Sequence, residues 1–297
     1  MKEKLAFEIK NLKCKYEKSP RPVLEIDSLE IEKESITFLI GTSGSGKSTI
    51  LESMGLMNNT LINNNSLLNF YATDENGNNK VINYFELWKK DEKEISKHRR
   101  NYFSFIFQSN NLFQTLDGYQ NIIMPAILQG KSIAEGKKIA STYIQEILKD
   151  INPNTNKKFD ILRLSGGQKQ RLAFIRAMIG KFSVLFADEP TGNLDWYNAE
   201  KIMNFLKEKK IEKKATVIIV SHDIELAVNT ADKIIFINRK EAEIINKNNE
   251  KEIFSYGQID SKSEYIKKEG KWILPNKEVI NQNDLVKELK EKFKPQN

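Results

Sequence analysis

The stretch "GTSGSGKST", residues 41–49, follows the apolar run "SITFLI" and leads into a helical pattern. Glycine, four residues, then Gly-Lys-Ser between a strand and a helix is the layout of a phosphate-binding loop. Gly41, Gly44 and Gly46 allow tight turns and close backbone approach, so that N–H groups turn inward toward β-phosphate oxygens. Lys47 is expected to neutralise β- and γ-phosphate charge, and Ser48 to hold Mg²⁺ through its hydroxyl. Ser43, Ser45 and Thr49 complete the expected nucleotide-binding set.

"VLFADE", "ATVIIVSH" and "KIIFI" read as further buried strands, and helical patterns alternate with them. "STILESMGLM" puts Ile50, Leu51, Met54 and Met57 on one face, and "KIMNFLKEKK" does so with Ile202, Phe205 and Leu206. This alternation predicts an α/β core with a mostly parallel sheet, whose ligands gather at the carboxyl ends of the strands. At one such end "ADEP" supplies adjacent carboxylates. Asp188 is placed to orient a Mg²⁺ shell and Glu189 to polarise an attacking water. "VIIVSHD" puts His222 beyond another strand, where its imidazole can hydrogen-bond a γ-phosphate or the water. Gln108 ends the apolar run "FSFIF"; it joins the Mg²⁺ or water shell, or it is an ordinary loop glutamine. The other histidine, His98 in "SKHRR", is expected on a solvated basic surface.

The remaining sequence is less regular. Residues 58–80 are rich in Asn and predict a long surface excursion. Residues from about 110 to 163 read as a helical subdomain inserted into the α/β core. Within them "SIAEGKKIASTYIQEILKD" opens on a capping-box pattern, Ser132 and Glu135, and lines up Ala140, Tyr143, Ile144, Ile147 and Leu148. After about residue 240 the pattern loosens into a Lys-, Glu- and Asn-rich tail. Short strands are expected there around "KWILP", and a last helix at "DLVKELKEKF" with Leu285, Val286, Leu289 and Phe293 on one side.

The net charge of +7, from 47 basic and 40 acidic residues, is spread along the chain without a long basic block, which fits a solvated surface. No apolar run approaches the roughly 18 residues of a membrane span, and the N-terminus lacks the apolar core of a signal peptide. Both features lead to the expectation of a cytoplasmic protein. The single cysteine, Cys14, has no partner for an internal disulfide and is expected to be a small strand residue.

"LSGGQKQR", residues 164–171, is a second anion-site layout: a serine and two glycines where a helix begins, with basic residues behind. Together with the phosphate loop, Gln108, "ADEP", "GNLD" and "VSHD", it resembles the ATPase domains of ABC transporters, over residues 5–240. The resemblance implies an ABC-type α/β ATPase core with a helical subdomain and a small antiparallel β portion, residues 1–240; the extension beyond, residues 241–297, has no counterpart in the shortest members. It implies ATP and Mg²⁺ as ligands. It further implies that two copies pack head to tail, so that Ser165, Gly166, Gly167, Gln168 and Asp195 act on the ATP held by the partner copy. Tyr16 stands where the family carries an aromatic that stacks on adenine.

"ADEPTGNLD" and "NIIMPAILQG" resemble the branch containing lipoprotein-release, macrolide-export and antimicrobial-peptide-resistance ATPases. That branch implies a separate membrane permease, driven by ATP-dependent closure and opening of a homodimer on the cytoplasmic face of the membrane. The alternative is an ATPase of the same build that regulates cell-envelope or cell-division enzymes without cargo. Nucleic acid is not an expected partner: there are no sustained heptads of the kind that DNA-repair relatives insert. The interval from Lys47 to Gln108 is longer than the family's usual one, and no proline precedes "LSGGQ".

Overall fold

The structure, a computed structural model, describes residues 2–19, 21–62, 65–73, 77–148, 159–192, 194–245 and 251–294. The chain divides into two compact units, residues 1–95 with 218–297, and residues 96–217.

In the first unit β1 (Leu5–Cys14) and β2 (Leu24–Glu32) pair antiparallel. On β2, Ile26, Leu29 and Ile31 are buried while Asp27 and Glu30 are exposed, the pattern of a sheet with one face on the core. Cys14 closes β1 fully buried, and burial pushes its thiol up to about 11. β3 (Ile36–Ile40) is buried along its whole length, as a strand covered on both faces must be. α1 (Lys47–Met54) buries Ile50, Leu51 and Met54 as predicted. Met57 departs from that stripe. The helix stops at Gly55, Leu56 takes a φ of 58° and is itself buried, and Met57 turns to solvent.

The expected surface excursion over residues 58–80 is also corrected. β4 (Leu61–Ile62) and β5 (Leu67–Thr73) both pair with β1, and β6 (Asn79–Asn83) pairs with β5. β5 buries Leu68, Phe70 and Ala72 at alternate positions. Residues 63–64 and 74–76 of this stretch lie outside the described residues. Next come α2 (Tyr84–Leu87) and α3 (Glu92–Tyr102), the latter reaching into the second unit. His98 is half-buried and stacks on Tyr102, ring centroids 5.9 Å apart, instead of standing on a solvated surface.

The second unit contains β7 (Phe103–Ile106), α4 (Gly118–Leu128), α5 (Ile133–Ile147), α6 (Gly166–Ile179), β8 (Val184–Asp188) and α7 (Trp196–Lys213). β7 and β8 run parallel. α5 opens on the predicted Ser132–Glu135 capping box and buries Ala140, Tyr143, Ile144 and Ile147, with Leu148 behind them. Residues 149–158 of the predicted helical stretch lie outside the described residues. α7 buries Ile202, Phe205 and Leu206 as its period demands, and Phe205 meets Tyr143 and Phe174 edge-on.

β9 (Thr216–Val220) returns the chain to the first unit, followed by α8 (Ile224–Thr230) and β10 (Lys233–Phe236), which runs parallel to β3. β11 (Asn238–Ile245) and β12 (Lys251–Ile259) form an antiparallel pair, and β12 lies parallel to β2. One sheet therefore has the order β11-β12-β2-β1-β5-β6, with β4 beside β1. β13 (Glu264–Lys268), β14 (Lys271–Ile273) and β15 (Val279–Ile280) extend the other sheet antiparallel from β10. The predicted terminal helix is α9 (Gln282–Lys292), with Leu285 and Leu289 buried and Phe293 edge-on to Phe236. Lys290 pairs with Glu225 of α8 at 2.7 Å. Among the described residues no helix is long and apolar enough to cross a membrane.

Candidate active site

The phosphate loop of the first unit starts where β3 ends. A Cβ on Gly41 would lie 2.8 Å from both the Ile237 carbonyl oxygen and the Ser45 hydroxyl, so only glycine fits there. Gly46 caps α1 at φ 87°, in the left-handed region that other residues enter at about 1–2 kcal/mol. No side chain caps this helix; Ile50 N–H donates to Gly46 O at 3.0 Å. Lys47 Nζ reaches back and donates to the carbonyls of Gly41 and Thr42, both at 2.8 Å. Its charge is thus held over the loop, while the first-turn N–H groups of α1 lie at the positive end of the helix dipole. Ser43 and Ser48 are exposed, and Ser45 and Thr49 are buried.

Tyr16, just past β1, shares a 3.0 Å hydrogen bond between its hydroxyl and Thr49 Oγ1. That ties the predicted adenine-stacking ring to the first turn of α1. On the other side, Ser221 N–H donates to Leu39 O at 3.3 Å, which brings the end of β9 to the rim where β3 gives way to Gly41. His222 follows, exposed, ahead of Asp223, whose carboxylate caps α8 through Leu226 N–H at 2.9 Å. Tyr16, the loop and His222 thus belong to one neighbourhood of the first unit.

The second unit gathers the remaining residues. Ser165 caps α6 in a reciprocal box: its hydroxyl accepts from Gln168 N–H at 3.2 Å, and the Gln168 side chain accepts from Ser165 N–H at 2.9 Å. Ser165 and Gly166 are exposed, and a Cβ on Gly166 would meet nothing within 4 Å. Further along α6, Gln170 donates to the Glu189 carbonyl at 3.2 Å, and Gly192 N–H donates to the same oxygen at 3.2 Å. These bonds fix Glu189, which has a φ of 48°. A non-glycine residue in this conformation stores about 1–3 kcal/mol, a strain that gathers at functional positions. Asp188 ends β8 immediately before it. Asp195 caps α7, accepting from Asn198 N–H at 2.9 Å and Asn198 Nδ2 at 2.6 Å. Those bonds hold its carboxyl below the usual carboxylate range. Asn193 of "GNLD" lies outside the described residues.

Gln108 is exposed past β7, at the head of a loop for which the neighbouring sequence offers no local support. The structure supplies two supports. Arg176 of α6 is mostly buried and donates to the carbonyls of Asn110 (2.7 Å) and Asn111 (2.6 Å), residues with φ of 62° and 45°. Asn121 of α4, fully buried, accepts from Phe113 N–H at 2.8 Å and donates to the carbonyls of Phe113, Leu116 and Asp117. An arginine on the apolar stretch "RLAFIRAMI" was the available signal for the first.

The chemistry of the donors suits a nucleotide and a hard cation. Ser48 offers a hydroxyl in the first unit, and Gln108 and Asp188 offer an amide oxygen and a carboxylate in the second; each is an oxygen donor of the kind Mg²⁺ takes.

Comparison with known proteins gives a consistent result. Residues 24–192 match the family described as "ABC transporter". The lipoprotein-releasing system ATP-binding protein LolD of Ehrlichia chaffeensis is 34% identical over 206 residues, 69% of this chain and 80% of that protein. The ABC transporter ATP-binding protein YtrE of Bacillus subtilis is 34% identical over 69% of this chain and 81% of its own length. Among solved structures, the dimeric post-hydrolysis state of the ATP-binding cassette MJ0796, bound to ADP and Pi, superposes with a TM-score of 0.64. It is 29% identical and covers 77% of this chain and 93% of that one.

Proposed function

This chain belongs to the ABC transporter family as an ATP-binding, ATP-hydrolysing subunit, and from that premise we propose how its residues share the work. The phosphate loop binds ATP: Gly41, Ser43, Gly44, Ser45, Gly46 and Thr49 shape the cradle, and Lys47 neutralises the β- and γ-phosphates. Tyr16 stacks on adenine, an interaction of about 1–3 kcal/mol. Ser48, Asp188 and Gln108 would hold Mg²⁺, which would supply neutralisation of the phosphate charge. Glu189 takes a proton from water as the water oxygen attacks the γ-phosphorus. The bond from that phosphorus to the β–γ bridging oxygen breaks, and ADP and phosphate leave. His222 hydrogen-bonds the γ-phosphate or the attacking water.

Ser165, Gly166, Gly167, Gln168 and Asp195 serve the ATP of a second copy. ATP therefore acts by binding the closed homodimer better than the open one, and hydrolysis reopens it. That cycle drives a separate membrane permease, which docks near the Gln108 loop and helices α4 and α5. The subunit then sits peripherally on the cytoplasmic face of the membrane.

The observation that carries this reading is the Lys47 ammonium, held by two loop carbonyls over a glycine-formed turn that opens α1. The test is steady-state ATPase activity against protein concentration. The expected result is a specific activity that rises as dimers form. A chain that hydrolyses at its full rate while strictly monomeric overturns the two-copy arrangement.

A further inference from the structure

We propose that Gly257 is a positioning residue for the phosphate loop, and that strand β12 of the C-terminal segment thereby sets nucleotide affinity. This role rests on the nucleotide reading of that loop and belongs to a residue outside the matched family region, residues 24–192.

β12 runs parallel to β2 with Gly257 level with Leu24, and Gly257 N–H donates to Val23 O at 3.0 Å. On its other side Gly257 abuts the loop. A Cβ built there would lie 1.9 Å from the Ser45 carbonyl oxygen, and 2.9 Å from both the Ser45 carbonyl carbon and Ile237 Cγ2. No side chain can occupy that space unless backbone moves. Val23 and Leu24, at the start of β2, also face the next loop residue: a Cβ on Gly46 would come within 3.1 Å of Leu24 Cβ and 3.2 Å of Val23 O. The peptide joining Ser45 to Gly46 is therefore wedged between β2 and β12. Ser45 is fully buried there, and its hydroxyl makes no hydrogen bond among the described residues. β12 is anchored at its start as well, where Arg21 pairs with Glu252 and lies 5.1 Å over the Phe254 ring.

The wedge has a directional consequence. A trans peptide is planar, with its C=O and N–H pointing in opposite directions, and there are no cis peptides in the described chain. Seating the Ser45 carbonyl against Gly257 aims the Gly46 N–H away from β12. A methyl group at position 257 pushes on that carbonyl and rotates the peptide, so it misdirects a donor meant for a β-phosphate without touching Lys47 or α1.

The test uses the full chain with ATP and Mg²⁺. Gly257→Ala is expected to raise both the Kd and the KM for ATP about tenfold or more, as misplaced binding groups do, while kcat at saturation stays within about twofold. Lys290→Ala, at the exposed far end of the same segment, is expected to bind ATP as the unaltered chain does. A folded Gly257→Ala with unaltered ATP affinity overturns the proposal. Should that variant fail to fold, hydrogen exchange on the unaltered chain decides. Saturating ATP is expected to slow exchange in residues 251–259 as well as 41–49, and no change in residues 251–259 overturns the proposal. An unaltered chain that binds no ATP sinks the nucleotide reading itself, and with it this inference.

Discussion

The phosphate loop and the "LSGGQ" turn are both glycine-bearing entries to a helix, yet they are built in opposite ways. At the first, no side chain caps α1, Lys47 folds back onto two loop carbonyls, and β2, Ile237 and β12 wall the backbone in. At the second, Ser165 and Gln168 satisfy each other's N–H groups, and Gly166 faces open space. An enclosed entry holds a ligand with its own walls. An open, self-capped entry is finished without a ligand and can offer its glycine edge to something held elsewhere. The contrast is what the two proposed roles, one site for resident nucleotide and one for a partner's, would each require.

The largest expected effect tests the residue tied to the open entry through Gln170. Glu189→Gln should lower turnover about 10²–10⁴-fold, the usual effect of losing a general base, while equilibrium ATP binding is retained. Undiminished phosphate release with ATP and Mg²⁺, in a preparation free of contaminating ATPase, would remove Glu189 from the chemistry. Lys47→Ala should act on binding instead. Losing hydrogen bonds to a charged group costs about 1.5–3 kcal/mol, or about ten- to a hundredfold in Kd, readable by titration with a fluorescent ATP analogue. Next, the two glycines can be set against each other. Gly46→Ala should destabilise the loop by about 1–2 kcal/mol through its left-handed φ, whereas Gly166→Ala should leave the thermal midpoint nearly unchanged; equal shifts would erase the distinction between walled and open entries. Ser165→Ala should cost about 0.5–2 kcal/mol of α6 stability by losing the cap, in chemical denaturation, with ATP affinity of the isolated chain intact.

The smallest effect is the pH response of the α7 cap. The hydrogen bonds from Asn198 depress the Asp195 carboxyl in the folded chain. Its contribution is therefore fully present above the ordinary carboxylate value of about 3.9 and is lost as pH falls through the lower folded value. Following the Asn198 amide signal in an acid titration should show this; a midpoint at the ordinary value would mean that the cap does not hold in solution.

The chemistry-bearing turns were legible in the sequence because each is local. A glycine spacing, a strand end and a helix start fall within ten residues, and the residues that shape them are neighbours in the chain. What the sequence hid is non-local or masked by composition. β5 carries a clear two-residue alternation in Leu68, Phe70 and Ala72, but asparagines on both sides made the stretch look like a loop. Met57 continues a helical stripe on paper, and only the left-handed Leu56 takes it off the helix. The support of the Gln108 loop by Arg176 and Asn121 depends on helices meeting a loop many residues away. Residues 251–294 looked like a loose tail since polar residues break up the apolar positions of β12, and β13, β14 and β15 are short. Their stability comes from two sheets made by other parts of the chain, which no window of sequence displays.

The burial of Cys14 has a practical consequence. It is the sole thiol of the chain, it is fully buried, and its pKa of about 11 leaves almost no thiolate at neutral pH. Maleimides and spin-label reagents should therefore pass it by, and the native sequence already serves as an effectively cysteine-free background. One engineered surface cysteine, in α5 or on β6, would carry a probe at a single known place, and the proposed opening and closing of a dimer could be tested by distance measurement without first removing any residue from the core.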